Sequence, residues 1–150
     1  MIPHPPETSQ LRGHVIVVGL HGIGLRVVEQ LLGIGQQVVV IDDGADDRSV
    51  RQIALWEVGH VVGNAARVEV LEMAGLATAR AVICTERNEL HTLEVALLAR
   101  ELNDGVRVIV RSSNAPVGEA IAGVTGVGTV LSAEALSAPA FTEAVLQQRI

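Results

Sequence analysis

Short apolar runs alternate with longer stretches of helical periodicity along most of the chain. The run HVIVV at 14–18, closed by Gly19, is continuous rather than alternating. Such a run reads as a strand of a parallel sheet buried on both faces. From Gly22 to about Leu32, the apolar positions Ile23, Val27, Val28, Leu31 and Leu32 fall at helical spacing. Gly33 and Gly35 then end that helix. The same alternation predicts further strands over 37–41, 59–62, 80–85, 106–110 and 128–131. It predicts helices over 46–56, 65–74, 88–102, 116–123 and 133–148, the last interrupted by Pro139. Asp46 and Asp47 suit a helix N-terminus, and Asn103, Asp104 and Gly105 mark a turn.

Six strands alternating with helices imply right-handed crossovers and a parallel sheet covered on both faces. The fold class expected is α/β, a doubly wound six-stranded sheet of order 3-2-1-4-5-6. Residues 1–12 carry Pro3, Pro5 and Pro6 and read as a flexible leader. Residues 13–132 form the sheet domain, and 133–150 a C-terminal helical segment.

Composition narrows the chemistry. At 150 residues the chain is one domain, and 49% apolar with 19% charged residues excludes disorder. No apolar run approaches the ~18 residues of a membrane span. The one cysteine, Cys84, excludes a disulfide framework and a multi-cysteine metal site, and as a strand residue it reads as an inert core thiol. A reducing, cytoplasmic setting follows. All eleven basic residues are Arg, and Tyr is absent. A Walker A loop needs Lys, and a Tyr–Lys dehydrogenase site needs both, so neither is present. A net charge of −6 and 1% aromatics argue against nucleic acid as a partner. The five His are scattered without ligand spacing, so no metal site is expected.

The candidate binding residues gather where strands end. The first strand–helix turn reads Gly19, Leu20, His21, Gly22, Ile23, Gly24. Rossmann folds place Gly at the first, third and sixth positions of this turn, for the tight bend, the approach of pyrophosphate and close helix packing. Here the third position is His21, with Gly22 one place later. The turn binds a nucleotide or merely connects strand to helix; His21 donates to phosphate or is an idle loop residue. Asp42 and Asp43 end the second strand, where a carboxylate accepts both ribose hydroxyls and repels the 2′-phosphate of NADP. Asn64, before Ala65, reads an adenine edge or caps the next helix. Thr85 faces a ribose or phosphate, or caps the helix near Asn88. Arg111 is a phosphate partner or a surface ion pair. No catalytic constellation accompanies these residues, so the chain is not expected to be an enzyme. The competing readings are the cofactor domain of an NAD-dependent dehydrogenase and a degenerate scaffold that binds nothing.

Taken in serial order, the chain resembles the RCK domains (regulators of potassium conductance), also called TrkA N-terminal domains. The resemblance covers about residues 13–146. It rests on HVIVVG at 14–19, VVVID at 38–42, VVGNA at 61–65, EMAGL at 72–76 leading into AVICT at 81–85, ALLAREL at 96–102, VIVR at 108–111, and VLS at 130–132 followed by APAF at 138–141. It implies a cytoplasmic regulatory domain of a potassium channel or transporter that binds NAD or NADH, or alternatively ATP, ADP or AMP. The residues implied in binding are Gly19 to Gly24, Asp42, Asn64, Ala65 and Thr85, with Arg111 matching a frequent family Arg. The departures, His21 for Gly and Asn64 for Asp, bear on affinity and ligand choice. His91 also stands where the family often has Asn. The resemblance further implies a homodimer or higher RCK assembly, pairing through a C-terminal crossover helix, and a membrane subunit that places the domain peripheral to the inner membrane.

Overall fold

Four consecutive β-branched residues make β1 (Val15–Val18), and all four are buried. The structure, a computed structural model, describes residues 10–21, 23–112, 119, 129–132 and 145–146. After β1 come α1 (Ile23–Gly33), β2 (Val38–Asp42), α2 (Asp47–Leu55), β3 (Gly59–Val62) and α3 (Val68–Met73). A 3₁₀ turn (Leu76–Thr78) leads to β4 (Ala81–Cys84), α4 (Glu89–Leu102), β5 (Arg107–Ser112) and β6 (Thr129–Ser132). The sheet is parallel throughout, in the order β3-β2-β1-β4-β5-β6. That is the expected doubly wound α/β fold.

The uninterrupted apolar strands follow from double-sided burial. Along β1, Val15 and Val17 pack with Val27, Val28 and Leu31 of α1 and Ile53 of α2. Ile16 and Val18 point the other way, into a cluster with Leu71 of α3 and Val95, Ala96 and Ala99 of α4. Period-two alternation along β1 therefore feeds two cores, and none of its four positions is polar. Cys84 belongs to the second core, and burial pushes its thiol up to about 12. It is inert, as its place in a strand suggested.

Helix ends follow local chemistry. Asp46 caps α2, its side chain accepting from the Ser49 amide at 3.1 Å. This hydrogen bonding holds the Asp46 carboxyl below its ordinary value. Asn88 caps α4 by accepting from the His91 amide. Helix α3 is shorter than the periodicity of 65–74 suggests. The Asn64 side chain accepts from Ala66 N at 2.8 Å and the Asn64 carbonyl from Arg67 N, so residues 64–67 form a turn and α3 begins at Val68. Strand β5 runs to Ser112, two residues past expectation. The end of the expected leader is tied down: Leu11 packs against the core, and Gly13 N donates to Thr78 O. Residues 1–9, the expected helix over 116–123 and the crossover helix over 133–150 lie outside the described residues, apart from Glu119, Val145 and Leu146. Among the described residues no helix is long and apolar enough to cross a membrane.

His14 immediately precedes β1 and is fully buried. Its Nε2 lies 2.7 Å from the Ala74 carbonyl, which only accepts, so Nε2 carries the hydrogen. Among the described residues its Nδ1 has no partner, and it would be a buried, unpaired donor if protonated. Burial accordingly lowers the His14 pKa from 6.5, against the opposing effect of the Ala74 contact. The unfolded chain then binds this proton more readily than the folded one. Stability from this source is complete above the unfolded value near 6.5 and falls as pH drops toward the lowered folded value. Urea denaturation at pH 5 and pH 7.5 is expected to show that loss, with a smaller one in His14→Gln. An equal loss in both proteins would place the acid sensitivity elsewhere.

Candidate functional site

The parallel register brings the carboxyl ends of β1 to β4 to one edge: Val18 lies opposite Ile41 and Cys84, and Asp42 opposite Val62. Strand order reverses between β1 and β4, and ligand crevices of open α/β sheets form at that reversal. A cleft of about 220 Å³ opens at this edge. Its lining includes Gly19, His21, Asp42, Asp43, Asn64 and Ala65, six of the residues expected from sequence. Glu86, Asn88 and His91 complete the α4 side.

The turn after β1 has the geometry its glycines require. Gly19 has φ +97°, in the left-handed region, and a Cβ there would sit 2.8 Å from Glu86 Cγ. Gly24 lies against Gly19, where any Cβ would run into the Gly19 carbonyl oxygen. The first and sixth positions thus make the bend and the close helix packing, as read from the spacing. Leu20 turns inward and is 1% exposed, so its side chain belongs to the core rather than the cleft. His21 is exposed on the cleft rim. Ile23 opens α1 and packs against the core. Gly22 lies outside the described residues.

Asp42 is 5% exposed. Its Oδ2 accepts from Ala45 N at 3.1 Å and lies 3.5 Å from His60 Nε2. Among the described residues no partner takes Oδ1. Asp43 is exposed beside it. Thr85 takes neither of its expected roles: the hydroxyl is buried and donates toward Val18 O (3.0 Å) and Gly19 O (3.2 Å). It braces the glycine turn from behind, and the cap of α4 falls to Asn88 instead. Arg111 sits on β5, opposite Leu131 of β6, and is not among the residues lining the cleft.

Asn64 caps its own turn and also meets His91, whose Nε2 lies 2.7 Å from Asn64 Oδ1. His91 Nδ1 lies 2.8 Å from Glu86 Oε1. Glu86, His91 and Asn64 therefore form a hydrogen-bonded strap from the loop after β4 to the loop after β3. Glu86 escaped sequence reasoning, and His91 stood out only by its difference from Asn. The available signal was Glu86 and His91 flanking the α4 cap, with the glycine turn on the neighbouring strand. Of the described residues lining the cleft, Asp42, Asp43 and Glu86 are acidic, and only His21 and His91 can carry positive charge. Among the described residues no group of three His, Cys, Asp or Glu is placed to hold a metal ion.

The TrkA-N domain family matches residues 15–133. An uncharacterized protein of Methanothermus fervidus is 25% identical over 110 residues, which are 71% of this chain and 17% of that protein. The chain thus spans about a sixth of that relative. The TrkA-N domain of the inner membrane protein ybaL from Escherichia coli superposes with a TM-score of 0.76 at 25% identity, over 92% of this chain and 97% of that one. The GsuK channel bound to NAD superposes with a TM-score of 0.70 at 21% identity, over 81% of this chain and 22% of that one. GsuK bound to ADP gives 0.71 at 21% identity, over 83% and 32%.

Proposed function

Because the chain belongs to the TrkA-N domain family, we propose that it is a regulatory domain that binds an adenine nucleotide and reports it to a potassium channel or transporter subunit. The observation that carries this reading is Asp42. A buried carboxylate stands beside the glycine turn, at the reversal of strand order, with Oδ2 engaged and Oδ1 unpartnered among the described residues. A ribose diol supplies the donors such a group lacks. The N-terminus of α1 opens on the same edge and favours a phosphate, with His21 on the rim as a further donor. The relatives solved with NAD and ADP support an adenine nucleotide as the ligand class. Arg111, separated from β1 by β4, meets only a ligand long enough to pass that strand.

In this reading the domain works by binding and not by turnover. Nucleotide favours one of two conformations or assemblies to the extent that it binds that state more tightly. The partners are a second copy of the chain and a membrane subunit met from the cytoplasm. Calorimetric titration with NAD, NADH, ATP, ADP, AMP and NADP tests the proposal. At least one adenine nucleotide is expected to bind, with NADP weaker than NAD. Binding of none would overturn the reading. Steady oxidation or reduction of NAD(H) with a small alcohol, aldehyde or hydroxy acid would overturn its non-catalytic part.

A further inference from the structure

Resting on the nucleotide reading, we propose that His91 is a positioning residue that works as an imidazolium, closing the Glu86–His91–Asn64 strap and tying nucleotide affinity to pH. The proton count follows from which atoms face each other. Ala66 N donates to Asn64 Oδ1 at 2.8 Å, which fixes the orientation of the Asn64 amide. His91 Nε2 lies 2.7 Å from that same oxygen. An amide oxygen only accepts, so Nε2 carries a hydrogen. His91 Nδ1 lies 2.8 Å from Glu86 Oε1. An ionised carboxylate also only accepts, so Nδ1 carries a hydrogen as well. A ring with both hydrogens is an imidazolium. The closed strap therefore holds one proton more than a neutral histidine beside a free carboxylate.

The ring is placed for this role from both sides. Its backbone amide donates to the Asn88 cap at 3.1 Å, which sets it on the first turn of α4. The side chains of His91 and Glu86 are 22% and 34% exposed, sheltered enough for the contact to matter and open enough to exchange a proton. Among the described residues, the other charged or titratable groups lining the cleft are Asp42 and Asp43 at the end of β2 and His21 in the turn after β1; His60 of β3 lies against Asp42. Against three carboxylates, a cation on His91 eases the approach of an anionic ligand. It also holds the loop carrying Asn64 and Ala65, which line the cleft, in place before the ligand arrives. Loss of the proton sets acceptor against acceptor at one end of the strap. The loop must then be ordered at the expense of binding.

Imidazole ¹⁵N spectra of the nucleotide-free chain, joined to ADP and NAD titrations at about pH 6 and about pH 8.5, test the proposal. His91 is expected to carry both protons at the lower pH. The wild-type dissociation constant is expected to be about fivefold lower there, by proton linkage. Glu86→Gln offers its amide as a donor to a neutral Nδ1, so the strap stays closed without the extra proton. Its dissociation constants are expected to differ less than about twofold between the two pH values, the ligand's own titration being common to both proteins. A singly protonated His91 ring at pH 6 would overturn the proposal, as would equal pH dependence in wild type and Glu86→Gln. Absence of binding by either protein would fail the nucleotide reading and the linkage with it, even where the ring carries both protons.

Discussion

Gly24→Ala is expected to destabilise the domain by about 3 kcal/mol or more and to abolish nucleotide binding, the upper end for overpacking against fixed backbone. The added Cβ meets the Gly19 carbonyl oxygen, and behind it the Thr85 hydroxyl at 3.2 Å. Neither yields easily. Gly19 is at φ +97° in the tightest part of the turn, and Thr85 is buried and braced on that same backbone. Relief requires α1 to move off the sheet, taking Val27, Val28 and Leu31 out of their core. Gly33→Ala is the control, since none of the described residues lies within 4 Å of a Cβ there. Ala in place of Gly at that helical position is expected to be neutral or to stabilise by up to ~1 kcal/mol. Urea denaturation of both variants measures the contrast. A Gly24→Ala protein as stable as its parent would show that helix and turn do not pack as closely as described.

Asp42→Ala is expected to weaken binding of NAD or ADP by about 1.5–3 kcal/mol, the range for hydrogen bonds to a charged group, or roughly 10- to 150-fold. The carboxylate also anchors the following loop through Ala45 N, so some of the loss comes from a looser loop. Asp42→Asn separates the two effects. Its amide oxygen still accepts from Ala45 N, while the charge toward the ribose is gone. Asn is therefore expected to keep most of the stability and still lose most of the affinity, read by calorimetry beside thermal unfolding. Unchanged nucleotide affinity in both variants would remove Asp42 from the site.

Strand and helix identity were legible in the sequence because each apolar run has a single physical solution. A stretch such as residues 38–41, apolar without alternation and bounded by polar residues, is stable only with both faces covered, and helices of matching period lie on either side. Alternation of the two patterns then leaves the doubly wound parallel sheet as the economical topology. Gly19, Gly24 and Asp42 were legible for the same reason: a bend without Cβ, a close helix contact and a carboxylate at a strand end are local demands, met by residues a few positions apart. The bracing role of Thr85 is not visible in the sequence because its partners, Val18 O and Gly19 O, stand at the end of another strand, and no local pattern shows where a hydroxyl turns. Helix α3 is shorter than its periodicity predicts because Asn64 competes for the first backbone amides, a choice made by one side chain against the helical period.

What the sequence determined by itself was therefore the order and type of the elements among the described residues, the acidic and lysine-free chemistry, and the sheet edge at which the cleft opens. These depend on periodicity, on turn residues and on composition, all of which act over short stretches of chain. The tertiary structure alone decided that Leu20 faces the core, that Thr85 braces the turn, and that Arg111 stands apart from the cleft. It alone joined Asn64 to His91 across 27 positions and His91 to Glu86 beside the glycine turn. Parallel crossovers bring the ends of distant strands together, so the partners of a strand-end residue are set by strand order and register rather than by its neighbours in the chain.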